Sequence, residues 1–117
     1  LDFAPRFRDE AVRVDENRKG LSKPDGARFK TAVRLTKTDT RAACAAWREL
    51  AVTNPAHVPT LFNVALCDEH EGRRDAAAQG YRAVLQLAPR TWPASAALGR
   101  IDLDARARAQ LAAHNGA

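Results

Sequence analysis

The sequence predicts an all-α fold, and three observations carry that prediction. Apolar residues recur at helical spacing along most of the chain, Pro and Gly interrupt them at intervals, and no alternating run is long enough for a β-hairpin. Alanine supplies much of the 45% hydrophobic content, while aromatics make up only 6%. Small, helix-favouring side chains of this kind suit helices that approach one another closely.

The elements follow in order. Pro5 suits a first helical turn, Phe7, Ala11 and Val14 lie at i, i+4 and i+7, and Gly20 sits where a C-terminal cap would. Residues 1–25 are therefore expected to form an N-terminal helix followed by a turn at LSKPDG. A second helix covers ARFKTAVRLTK, with Phe29, Ala32 and Val33 on one side. Asp39 or Thr40 caps the next, RAACAAWRELAV, which TNPAHVP interrupts. TLFNVALCDEHEG then forms a helix stopped by Gly72, and RRDAAAQGYRAVLQLAP forms another stopped before Pro89. Thr91 is placed to cap a last helical stretch, from WPASAALGRI into DARARAQLAA, with a break expected near Asp102.

Residues recur across these helices at one offset. Pro55 and Pro89, Ala43 and Ala77, Trp47 and Tyr81, and Leu50 and Val84 all lie 34 residues apart. Each pair preserves small, aromatic, apolar or proline character. A small residue lets two helices approach, an aromatic fills the groove beside it, and a proline ends the helix before the next unit.

On these residues the chain resembles the tetratricopeptide repeat (TPR) family. Leu61, Val64 and Ala65 fall on the first-helix positions of that motif, Gly72 on its inter-helix glycine, and Ala77, Tyr81, Val84 and Pro89 on its second-helix positions. Asp68 departs from a site that usually holds a large residue. Ala43, Trp47, Leu50 and Pro55 match half of an upstream unit, and Leu98 and Gly99 begin a downstream one. The resemblance implies a helical repeat domain over residues 26–117, with units at about 26–57, 58–90 and a partial or capping 91–117. It further implies antiparallel helix pairs in a short TPR-like right-handed superhelix, preceded by the extra N-terminal helix, with first helices lining a concave face.

Composition narrows the function classes. At 117 residues the chain is one domain by length, and no apolar run approaches a membrane span. There is no Met, so the numbering is expected to begin at a processed or excised end, and what precedes Leu1 is open. The formal charge is +5, with eleven Lys/Arg against seven Asp/Glu in residues 1–41 and eight against seven thereafter. A basic end attracts nucleic acid, anionic lipid or an acidic protein face. No aromatic–basic interleaving marks a nucleic-acid binder, so binding of an anionic polymer through residues 6–41 ranks lowest.

The chemistry-bearing residues cluster in LCDEHEG, residues 66–72. On a helix Cys67 and His70 are i, i+3 neighbours, as are Asp68 and Glu71. Zinc wants three or four protein ligands, whereas His57 and His114 stand elsewhere, so no metal and no cofactor is expected. The simpler expectation is that Leu66 and Cys67 face the core while the acids and His70 project into water. Ser22 and Ser95 lack a neighbouring base, neither Cys sits in a Cys–His arrangement, and the glycines make no phosphate loop. No catalytic residue is assigned, and the chain is expected not to be an enzyme.

In the repeat register, Cys44 lies on the second helix of one unit and Cys67 on the first helix of the next. The pair is then either a disulfide stapling adjacent units or two buried thiols. Exactly two cysteines at packing positions fit an exported protein, bacterial and periplasmic or envelope-associated, with a cytoplasmic location as the alternative. The resemblance also places Asn63 and Arg28 at positions where some family members clamp a peptide carboxylate, while the remaining clamp positions are Pro93 and Ala97, which cannot donate. Asn63, Leu66, His70 and Arg28 are thus the candidate groove for a protein or peptide partner. The expected function is a non-enzymatic scaffold that docks such a partner, without a small-molecule substrate. The alternative is a structural subunit or assembly domain of a larger membrane-associated complex.

Overall fold

A computed structural model describes residues 13–116. Within them lie five helices and no strand: α1 (Lys23–Leu35), α2 (Thr40–Thr53), α3 (Val58–His70), α4 (Arg74–Leu87) and α5 (Trp92–Gly116). Each helix packs on the next in chain order, α1 on α2, α2 on α3, α3 on α4 and α4 on α5.

Local chemistry sets most of the helix ends. Asp39 caps α2 by accepting the Ala42 N–H at 3.0 Å. Pro59 sits in the first turn of α3, where its missing N–H costs nothing. Gly72 takes a φ of +81° just beyond α3, and the Arg73 N–H reaches back to the Asp68 C=O at 2.8 Å. A side chain at that φ would clash, so glycine makes this stop sharp.

Several elements differ from the expectation. LSKPDG is a helix start rather than a turn: Ser22 Oγ accepts the Asp25 N–H at 3.2 Å, and Pro24 and Asp25 occupy the first turn of α1. α5 runs unbroken past Asp102, which instead pairs with Arg106 at i+4, as Asp104 does with Arg108. Thr91 turns its hydroxyl back to the Ala88 C=O at 2.8 Å.

Residues 1–12, where most of the expected N-terminal helix falls, lie outside the described residues, and residues 13–18 form neither helix nor strand. The Asp15 and Asn17 side chains accept the N–H groups of Asn17 and Lys19, two residues on, at 2.9 and 3.0 Å. Such turns compete with helix for the backbone. Asn63 completes the diversion by pairing with the main chain of Asp15.

Two apolar clusters form the core. One joins α1 and α2 to α3 through Phe29, Ala32, Cys44, Trp47, Leu50 and Cys67. The other joins α3, α4 and α5 through Phe62, Ala65, Leu66, Tyr81, Val84, Ala94 and Ala97, with Val14 added. Phe29 and Trp47 pack edge to face with ring centroids 4.7 Å apart. The 34-residue offset is also an offset in burial. Ala43, Trp47 and Leu50 on α2, and Ala77, Tyr81 and Val84 on α4, are all at most 2% exposed.

At Gly80, α4 comes close to Ala65 on α3. A Cβ there would lie 2.8 Å from the Ala65 Cβ, too close without separating the helices. Gly80→Ala should gain about 1 kcal/mol in helix propensity yet lose more by overpacking, for a net loss of about 1–2 kcal/mol. Urea unfolding checks this, and a neutral or stabilised variant would show that the helix pair gives way easily.

Candidate functional site

Asn63 is the most informative of the candidate residues. It sits on α3 and is fully buried. Its Oδ1 accepts the Asp15 N–H at 2.8 Å, and its Nδ2 donates to the Asp15 C=O at 2.9 Å. One amide therefore holds both main-chain groups of one residue. Val14, immediately before, enters the α3–α4–α5 cluster and is 7% exposed. Leu66, one turn beyond Asn63, lies in that same cluster and is buried.

The strap is anchored again at its far end. His57 Nδ1 accepts the Thr60 N–H at 3.3 Å, capping α3, so its Nε2–H is left to donate to the Lys19 C=O at 3.0 Å. The His57 ring also stands edge-on to Phe29, with centroids 5.7 Å apart. Residues 13–19 thus pass from the middle of α3 back toward its start, covering the face that holds Asn63.

The other two groove candidates lie elsewhere along the fold. His70 is the last residue of α3 and half-buried. Arg28 is exposed on α1 and pairs with Asp25 at 2.8 Å. It lines a shallow hollow of about 570 Å³ between α1 and α2, with Thr31, Ala46, Glu49 and Thr53. The Asn54 amide, and after it Arg28, hold the Asp25 carboxyl below the usual carboxylate range. Asn54 spans to the Leu50 C=O as well, joining the end of α2 to the start of α1.

Of the acids of LCDEHEG, Glu71 is exposed as expected, Asp68 is half-buried and Glu69 is buried. Arg48 on α2 donates to Asp68 at 2.9 Å and to both oxygens of Glu71. These bonds draw α2 onto the end of α3. The hydrogen bond from Arg48 holds Glu71 below its ordinary range, and the reciprocal bond raises Arg48.

Glu69 turns inward and is 7% exposed. It accepts the Tyr81 hydroxyl at 2.7 Å and two bonds from Arg100, Nε to Oε2 at 3.2 Å and Nη2 to Oε1 at 2.8 Å. Burial first, and the neighbouring Glu69 charge second, push the Tyr81 phenol well above its ordinary value. Sequence reasoning missed this triad. Position 69 does share the helical stripe of Phe62, Ala65 and Leu66, and that stripe was the available signal.

Cys44 and Cys67 meet across α2 and α3 at disulfide-bonding distance, with Cα atoms 5.8 Å apart. Both are buried. Among the described residues no group of three His, Cys, Asp or Glu is placed to hold a metal ion. Likewise, no helix among them is long and apolar enough to cross a membrane. Neither a family model, a curated protein nor a solved structure matches the chain significantly.

Proposed function

We propose that the chain is a non-enzymatic, TPR-like docking module that binds an extended segment of a protein partner on its α3–α5 face. The carrying observation is the Asn63 amide, which already grips main chain through both bonds to Asp15. The 34-residue recurrence of burial on α2 and α4 supports the repeat reading, and a buried cysteine pair suits an oxidising compartment such as a bacterial periplasm. His70, at the end of α3, would border the bound segment, and Arg28 would contact a partner that extends past α1.

Photo-crosslinking tests this. A crosslinker at His70 should capture a protein partner, whereas one at Gln86, exposed on α4, should not. Capture from both positions alike, or from neither, would overturn the docking reading.

A second reading, an assembly subunit, has its own observation. Every residue of α5 from Ala105 to Asn115 is exposed, and Leu103 and Leu111 remain 68% and 61% exposed. Spaced eight residues apart, these leucines share a helix face that lies beyond α4. Sedimentation would separate the readings, because self-association abolished by Leu103→Asp with Leu111→Asp favours assembly.

A further inference from the structure

We propose that residues 13–17 are an internal ligand, and that the surface beneath them is a site for a peptide with a valine-sized side chain followed by a residue gripped through its main chain. This rests on the docking reading and names both its ligand and its control. Asn63 hydrogen-bonds the main chain of Asp15 and not its side chain, so these two bonds are indifferent to sequence. Specificity comes from the neighbouring position, since Val14 is buried while Arg13, Glu16, Asn17, Arg18 and Lys19 are exposed.

The fully buried Asn63 amide cannot lose its partner cheaply unless another main chain replaces it. That makes exchange of one strand for another the favoured route, rather than an empty site. The turns of the strap are internal, from Asp15 to Asn17 and from Asn17 to Lys19, while Val14, Asn63 and the bond from His57 attach it to the helices. A free peptide that reproduces these attachments would still have to be ordered on binding, which the strap is spared. The strap prevails because it is tethered, at an effective concentration in the millimolar range for so short a linker.

A labelled peptide spanning residues 13–19, RVDENRK with blocked ends, should therefore bind the full chain weakly. It should bind Val14→Asp at least about tenfold more tightly, because the tethered competitor is impaired. Asp15→Pro, which removes the N–H that Asn63 accepts while leaving every helix untouched, should give a gain in the same direction. A peptide with the valine replaced by aspartate, or Asn63→Ala added to either variant, should abolish the gain. Peptide affinity no greater than wild type in whichever variants retain native helicity would overturn the proposal, as would dimers that exchange residues 13–17 between copies. Loss of helicity in both variants would overturn it too, by making the strap part of the folding core. Crosslinking from His70 that persists beside a failed peptide titration would leave docking standing and remove the internal ligand alone.

Discussion

Arg100→Ala is expected to destabilise the domain by about 3 kcal/mol, the low end of the cost of breaking a buried ion pair. The reason lies at Glu69, whose carboxylate is 7% exposed and holds α3 to α4 through Tyr81 and to α5 through Arg100. Without the guanidinium, a buried negative charge keeps one neutral donor. The low end applies because the Arg100 side chain is 34% exposed, so water can reach part of the vacated space. Replacing Glu69 and Arg100 together by leucine should recover much of the loss, since neither charge then needs desolvating. Denaturant midpoints of the two single variants and the double variant measure the coupling. Additive losses would mean that the pair does not act as one unit.

The same triad makes an alkaline prediction. Tyr81 is raised in the folded state above its ordinary 10.0, so above that pH the unfolded chain releases a proton that the folded chain keeps. Its contribution to stability is therefore complete below pH 10.0 and declines as pH rises beyond it. Tyr81 is the only tyrosine, so tyrosinate absorbance reports it without interference. The folded protein should stay silent at a pH where the urea-unfolded chain titrates fully. Glu69→Gln should reduce the difference without removing it, because burial is the larger cause. A native titration near 10.0 would contradict the buried placement.

Helix positions were legible where the signals are local. Asp39 before α2 and Gly72 after α3 act within a few residues, so chain order alone reveals them, whereas Pro59, read as part of an interruption, lies in the first turn of α3. The local signal misled at Pro24–Asp25–Gly26, a sequence that also suits a turn, because Ser22 upstream turns it into a capped helix start. What stayed hidden depends on distant partners. The Asn63–Asp15 pairing spans 48 residues and the Glu69–Arg100 pairing spans 31. Val14 ends the helical spacing that begins at Phe7 and Ala11, yet the backbone groups around it find partners in Asn63 and in the Asp15 and Asn17 side chains. Likewise the stripe through Phe62, Ala65, Leu66 and Glu69 makes position 69 inward-facing, while nothing local identifies Arg100 as its counter-charge.

Removing the cysteine pair by Cys44→Ala with Cys67→Ala should cost about 3 kcal/mol, the loop-closure value for this separation. That corresponds to a fall in melting temperature of roughly 12–20 °C for a domain near this size. The loss should fall unevenly, because the bridge lies in the cluster that joins α1 and α2 to α3, apart from the α3–α4–α5 cluster. Besides the bridge, the α1–α2 pair meets the rest chiefly through Arg48 with Asp68 and Glu71, through Phe29 with His57, and through Trp47 and Leu50 in that cluster. Hydrogen exchange in the variant should therefore rise most in α1 and α2, while α3 and α4 keep more of their protection. The urea m-value should also rise, since the unlinked denatured chain exposes more surface. In the wild-type protein unfolded without reductant, alkylation should label neither cysteine. Two labelled thiols there, or an unchanged midpoint in the double variant, would show that the sulfurs meet without bonding.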